Sequence, residues 1–247
     1  MINLSVNLNK VALLRNSRSL ELPSVTKAAA ICIEAGANGI TVHPRPDKRH
    51  IRPEDVYALA EMITVEFNIE GNPFQPQFME MVRQVKPTQC TLVPDAADTF
   101  TSDRGWDLVE DGQRLIPIID ELRNLGIRVS LFLNPDLVQI QHAKDIGTQR
   151  IELYTEPYAA AFGHGDVESV FQEYAIAAQT AQSLGLGVNA GHDLNLQNLG
   201  KFCSIPGILE VSIGHALIAD ALEIGLSGAV KAYLQILAQV EISNKEA

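Results

Sequence analysis

Two histidines and three cationic side chains, His43, Arg45, Lys48, Arg49 and His50, fall within one stretch of eight residues. Imidazoles exchange protons near neutral pH, and clustered cations hold small anions. The stretch is therefore suited to acid–base chemistry on an anionic ligand. Glu70 and Glu152 sit in runs that otherwise read as buried strands, Phe67-Asn68-Ile69-Glu70 and Ile151-Glu152-Leu153-Tyr154. A buried carboxylate needs a partner or a shifted pKa. Two further runs end in Asn189-Ala190-Gly191-His192 and Ile213-Gly214-His215. Glycine there lets the backbone approach an anion closely, and the free N–H groups of a following helix bind phosphate. Arg18, with Arg15 as its rival, is a candidate second phosphate ligand after the first strand. A metal held by His43, Glu70 and His192 is another use of the same residues. No helix carries the close His/Glu spacing of a zinc hydrolase, so no metal is expected. His142 reads as solvated on a helix, and His164 lies in a loop; neither is taken as a site residue.

The elements that must position these groups alternate along the chain. Strands are predicted at residues 4–9, 39–43, 65–70, 89–94, 128–133, 150–155, 187–191 and 210–214. Helices are predicted at 23–35, 53–62, 75–84, 108–125, 135–146, 167–184 and 195–202, with a final long helical region at 215–240. Residues 95–107 and 156–166 read as long irregular segments. Eight strands alternating with eight helices imply a parallel sheet, and in 247 residues they suit a closed (β/α)₈ TIM barrel forming a single domain, 1–247. An open doubly wound sheet is the competitor, but no Gly-x-Gly-x-x-Gly turn follows the first strand. Residues two apart on a strand share a face. That rule turns Asn7 and Asn9, Thr41 and His43, Asn68 and Glu70, Glu152 and Tyr154, and Asn189 and Gly191 toward one side. Inward residues of such barrels are usually bulky and apolar. Polar ones gathered at strand C-terminal ends mark a site.

Composition narrows the class of partner. The apolar fraction of 46% supports a large core, while a net charge of −11 excludes a general nucleic-acid binder. Cys32, Cys90 and Cys203 are widely spaced and odd in number, which is neither a disulfide framework nor a zinc pattern. Asn3, Asn7 and Asn9 interrupt the N-terminal stretch, so it lacks a signal-peptide core. No apolar run approaches the roughly 20 residues of a membrane span. A cytoplasmic protein acting on small phosphorylated molecules is expected.

The motifs Val6-Asn7, Gly39-Ile40-Thr41-Val42-His43, Arg49-His50-Ile51, Asn68-Ile69-Glu70, Leu92-Val93-Pro94, Val188-Asn189-Ala190-Gly191-His192 and Ile213-Gly214-His215-Ala216 together resemble the pyridoxine 5′-phosphate synthase family, over nearly the whole chain. The resemblance implies a (β/α)₈ barrel with extra helices, assembled as a homo-octamer in the cytoplasm. It implies condensation of 1-deoxy-D-xylulose 5-phosphate with 3-amino-2-oxopropyl phosphate to pyridoxine 5′-phosphate, phosphate and water, with no cofactor. By the same resemblance His43 and Glu70 are proton acceptors, His192 is a proton donor, and Glu152 stabilises a cationic transition state. Asn7, Arg18, Gly214 and His215 hold the amino ketone phosphate. Arg45, His50 and Thr101 hold the deoxyxylulose phosphate. Another phosphosugar lyase or isomerase on the same barrel, and a catalytically silent phosphate-binding homologue, are the alternatives.

Two positions depart from the family pattern. Asn9-Lys10 stand where an Asp-His pair is usual, and Asp193 stands where a glycine follows the seventh-strand histidine. Asn9 is expected to continue the inward face of Asn7, with Lys10 reaching the mouth by its long stem. Asp193 is expected to cap a helix starting near Leu194, with its carboxylate turned away from phosphate. The segment 95–107 is expected to act as a lid, with Thr101 donating to the sugar phosphate.

Overall fold

The fold follows from strands whose two faces differ in kind. The computed structural model describes residues 1–96, 102–163 and 165–246. Eight parallel strands close a barrel in sequence order: β1 Asn3–Asn7, β2 Gly39–Val42, β3 Glu66–Gly71, β4 Gln89–Leu92, β5 Arg128–Leu133, β6 Arg150–Tyr154, β7 Gly187–Gly191 and β8 Ile208–Ile213. β1 pairs with both β2 and β8. Outward side chains such as Leu4, Val6, Ile40, Ile69, Leu131, Ile151 and Val211 are buried in one continuous core. That core lies between the barrel and its helices.

The inward faces are polar and joined by hydrogen bonds. In the middle of the barrel Ser5 Oγ lies 2.7 Å from Thr41 Oγ1, and Thr91 donates to Asn68 Oδ1 at 3.1 Å. Nearer the N-terminal ends of the strands, Gln89 and Asn189 donate to Glu210 at 3.1 and 3.3 Å, and Arg150 donates to Asn189 at 3.1 Å. Buried polar groups are stable only when paired in this way. Among the described residues, only Ser130 Oγ is a buried side-chain polar atom without a partner.

Among the described residues there are eleven helices rather than eight: α1 Asn9–Asn16, α2 Val25–Glu34, α3 Pro53–Met62, α4 Pro76–Val85, α5 Leu108–Asn124, α6 Leu137–Asp145, α7 Glu156–Ala161, α8 Val167–Ser183, α9 Leu199–Cys203, α10 His215–Ile224 and α11 Leu226–Glu246. Three expectations are corrected. The first strand stops at Asn7, because the Asn7 side chain accepts the Asn9 N–H at 3.0 Å and turns the chain into α1. Asn9 is therefore a helix residue and does not continue the strand's inward face. Residues 156–161 are helical, since Pro157 falls in the first turn, where a missing N–H costs nothing. The C-terminal helical region breaks at Gly225 (φ 75°) into α10 and α11. No described helix is long and apolar enough to cross a membrane.

Candidate active site at the barrel mouth

A cavity of about 650 Å³ opens at the C-terminal ends of the strands. That is ample for two small phosphorylated molecules, since ligand pockets run roughly 300–1,000 Å³. The end of β2 and the loop beyond it bring His43, Arg45, Arg49 and His50 to the wall, and the first turn of α1 adds Lys10. β3 contributes Glu70 and β6 contributes Glu152. β7 leads into His192, and β8 into Gly214 and His215.

The centre of the site is a carboxylic acid beside an imidazole. Glu70 Oε2 lies 3.8 Å from His43 Nδ1 and accepts a 3.5 Å hydrogen bond from Asn7 Nδ2. Burial holds the Glu70 carboxyl well above the carboxylate range, with Glu152 and Asp95 pushing the same way. Burial also holds His43 well below the usual imidazole value, reinforced by Arg45 and His50. The spacing would suit an ion pair, yet both shifts favour neutral forms. Glu70 therefore has a raised proton affinity and His43 a lowered one, which suits the Glu70 carboxylate to receiving a proton.

Glu152 is 2% exposed, and burial with the nearby Glu210 raises its pKa to about 8. Its carboxylate accepts a long hydrogen bond from the Thr91 hydroxyl, at 3.5 Å. A Cβ at position 191 would collide with Glu152 Oε1, so Gly191 is glycine to make room for the carboxylate. Gly214 likewise leaves space for Asn7, whose Cβ would lie 3.1 Å from a Cβ at position 214.

The cationic side contains one neutral donor. His50 Nδ1 accepts the Ile51 N–H at 2.9 Å, which leaves the proton on Nε2. Burial and the charges of Arg45, Arg49 and Lys10 lower its pKa to about 4. Arg45 is held by Asp95 at 2.5 Å, and Asp95 also accepts from Ser102 Oγ at 2.6 Å. Across the cavity His192 adopts φ 86° and Asp193 φ 57°, a left-handed pair of non-glycine residues that costs energy. Burial lowers the His192 pKa, opposed by Asp193 and Asp95. α10 begins at His215 with no side-chain cap and no acidic residue in its first turn, so its N-terminus is open to an anion.

A wall of cations, a carboxyl of raised proton affinity beside an imidazole of lowered affinity, and a second buried acid form a site for proton-transfer chemistry on phosphorylated substrates. The family model described as pyridoxal phosphate biosynthesis protein PdxJ matches residues 4–239. The chain belongs to this family. The pyridoxine 5′-phosphate synthase of Albidiferax ferrireducens is 53% identical over 246 residues, covering 96% of this chain and 97% of the relative. That of Porphyromonas gingivalis is 52% identical over 239 residues, covering 96% and 100%. The solved N-(5′-phosphoribosyl)anthranilate isomerase of Pyrococcus furiosus superposes with a TM-score of 0.63 at 11% identity, covering 97% of this chain and 100% of that one. At that identity the likeness is one of fold alone.

In this member of the PdxJ family, His43, Glu70, Glu152, His192, Asn7, Asn9, Lys10, Arg45, His50, Asp193, Gly214 and His215 all line the cavity. Asn9 is also structural: its Oδ1 accepts the His43 backbone N–H at 2.9 Å, which fixes the end of β2. Arg18 is exposed beyond the end of α1 and is not on the cavity wall. Its rival Arg15 is buried and bound bidentately to Asp55, with a further bond to the His50 carbonyl at 3.2 Å. Arg15 is thus a bracket under the His50 loop. Asn189, in the seventh-strand motif, belongs to the polar layer below the mouth. Thr101 lies outside the described residues. The expected capping role of Asp193 is corrected: the helix begins at Leu199, not near Leu194. The intervening turn is held by Asn195, whose side chain accepts from Gln197 and Asn198 at 2.9 and 3.1 Å.

Sequence reasoning missed Asp95 and Ser102, which clamp Arg45 from beyond β4. It placed Tyr154 on the inner face without a role. Asp95 directly follows Leu92-Val93-Pro94, and an acid just past a strand end was the available signal. Among the described residues no group of three or more His, Cys, Asp or Glu side chains is arranged to hold a metal ion.

Proposed function

We propose that the barrel mouth condenses 1-deoxy-D-xylulose 5-phosphate with 3-amino-2-oxopropyl phosphate, forming pyridoxine 5′-phosphate, phosphate and water in vitamin B6 biosynthesis. The observation that carries this reading is the buried Glu70 carboxyl 3.8 Å from the His43 imidazole, opposite a cationic wall. It stands in a chain just over half identical to synthases of that name along almost its whole length. Joining an amine to a ketone, losing water and closing a ring require protons to be removed and returned at several atoms. Groups with proton affinities near neutrality do this best.

Arg45 and His50, aided by Lys10, hold the deoxyxylulose phosphate. His50 gives a hydrogen bond from Nε2, and the lysine and arginine supply the charge. Asn7, Gly214 and His215 hold the amino ketone phosphate at the open N-terminus of α10. Arg18 has no place in that set within one chain. His43 and Glu70 take protons from the substrates, and His192 returns one. A carboxyl with a pKa of about 8 is mostly neutral near neutral pH. As the hydroxyl of the addition product leaves to form an iminium cation, the Glu152 proton departs with it as water, and the resulting carboxylate stabilises that cation.

The protein acts as a homo-octamer in the cytoplasm, folded as a single domain. Exposed Leu14, Leu20, Leu22 and Leu222 supply apolar surface of the kind subunit contacts bury; light scattering at micromolar concentration tests the assembly. The decisive experiment supplies the purified protein with both substrates. Phosphate released in step with a pyridoxine chromophore supports the synthase reading. Turnover of the deoxyxylulose phosphate alone would make it a lyase or isomerase, and binding without turnover a silent homologue.

A further inference from the structure

Most of the inward-facing side chains of this barrel are polar, but three near the mouth are not. Val93, Phe132 and Tyr154, at the ends of β4, β5 and β6, form a small apolar cluster separate from the main core. A hydrophobic patch facing a wet, charged cavity is costly unless it has something to hold. It holds His192. The imidazole centroid lies 5.0 Å from the Phe132 ring and 5.3 Å from the Tyr154 ring, and the two aromatic rings are 5.3 Å apart. The Tyr154 ring meets the imidazole nearly edge-on, at 78°, and the Phe132 ring at 51°. These spacings and tilts are those of attractive aromatic pairs.

The backbone beneath is braced by the residue next to Tyr154. Thr155 is fully buried. Its hydroxyl is 2.7 Å from the Gly191 carbonyl and 2.5 Å from the His192 carbonyl, and its N–H donates to Gly191 O at 2.9 Å. The left-handed turn at His192 is thereby fixed from β6, while the ring is fixed from β5 and β6.

We propose that Tyr154 and Phe132 are positioning residues that clamp the His192 imidazole in one plane and exclude water from it, so that it meets the substrate in a single orientation. The inference rests on the assignment of His192 as proton donor. Reorienting a proton-transfer group by about 1 Å can cost on the order of 100-fold in rate, so the clamp acts on turnover more than on binding. The charged and titratable groups facing the imidazole are Asp193 beside it, Asp95, Arg45 and His43 in the same cavity, and the Tyr154 phenol. Of these only the phenol belongs to the clamp. Its pKa is raised to about 12 by burial, so it stays neutral and does not set the imidazole's charge.

The test uses the full-length protein and two readouts. Proton NMR follows the His192 titration, assigned by its loss in His192→Asn. Steady-state kinetics with both substrates gives kcat and KM. Tyr154→Leu lowers kcat by on the order of tenfold or more with KM within about twofold. It also moves the His192 titration up toward the unperturbed 6.5, because water enters. Tyr154→Phe, which keeps the ring, restores most of the lost turnover and the original titration. A Leu variant that changes neither readout overturns the proposal. So does a Phe variant as slow as Leu, which would make the hydroxyl the working group. If Tyr154→Leu does not fold, Phe132→Leu removes the other wall and is judged by the same two readouts. The titration is observable whether or not the chain makes pyridoxine 5′-phosphate, so a failed assay and a failed clamp are separate results.

Discussion

Replacing Glu152 with glutamine should make the protein more stable and less active, and the gain in stability should depend on pH. Glu152 is 2% exposed and has a folded-state pKa of about 8 against an ordinary 4.5. The folded protein therefore binds this proton more tightly than the unfolded chain. The associated stability is fully present below pH 4.5 and is lost as pH rises through about 8. Integrated between those two values, the loss is about 4 kcal/mol at pH 8 and about 1 kcal/mol at pH 5. Glutamine has nearly the same shape, still offers an oxygen to Thr91 and cannot ionise. The variant should thus gain about 3 kcal/mol more over the parent at pH 8 than at pH 5. Glu70 contributes in the same direction, since its raised pKa owes something to Glu152. Guanidinium unfolding followed by circular dichroism at both pH values measures the difference, and the two-substrate assay shows turnover falling. A gain equal at the two pH values, or no gain at pH 8, would mean that Glu152 is already ionised in the folded protein.

The remaining expectations concern single residues. Glu70→Gln keeps the bond from Asn7 but removes a proton acceptor, so kcat should fall by on the order of 10²–10⁴ with the fold intact; near-normal turnover would remove Glu70 from the chemistry. Lys10→Met should raise the KM for deoxyxylulose phosphate more than it lowers kcat, the pattern of lost uniform binding. A collapse of kcat at constant KM would place Lys10 among the proton-transfer groups instead. Arg15→Met removes the ion-pair partner of the partly buried Asp55, leaving it only the Arg52 N–H, and should cost roughly 3 kcal/mol of stability, whereas Arg18→Met at an exposed position should change it by less than about 0.5 kcal/mol. Comparable denaturation curves for the two variants would contradict the bracket role of Arg15.

The inner face of the barrel was legible because strand periodicity is short and unambiguous. Asn7, Thr41, His43, Asn68, Glu70 and Glu152 could be assigned to one side by counting in twos, and their hydrogen bonds now bear that out. The same counting failed at Asn9. Ser5, Asn7 and Asn9 alternate like a strand, but the Asn7 side chain caps the turn after itself, so alternation ran on past the real end. The helix at Glu156–Ala161 was hidden by Pro157 and the nearby glycines, which read as a loop although proline in a first turn starts a helix. The bidentate pair between Arg15 and Asp55 joins residues 40 apart, and no local pattern announces it. The left-handed backbone at His192 and Asp193 was equally silent, because neither residue is glycine. It is imposed by Thr155 from the neighbouring strand rather than by local preference.

The distribution of polarity explains how one fold keeps both a stable core and three buried proton carriers. Stability comes from the apolar shell between barrel and helices, which does not touch the mouth. The interior is therefore free to be polar, and nearly every group in it is paired. Within that interior the environment sorts the titrating groups. Glu70 and Glu152 are raised by burial, with Glu152 adding to the shift of Glu70 and Glu210 to that of Glu152; His43 and His50 are lowered by burial and then by the arginines near them; and Asp193 and Asp95 partly offset the burial of His192. Such opposed shifts place neutral acids and neutral bases side by side at the same pH. A charged site would need a counterion removed before each proton moved. In this one the fixed charges stand on the phosphate-binding wall, and burial rather than a fixed counterion sets the proton affinities of Glu70, Glu152 and His43.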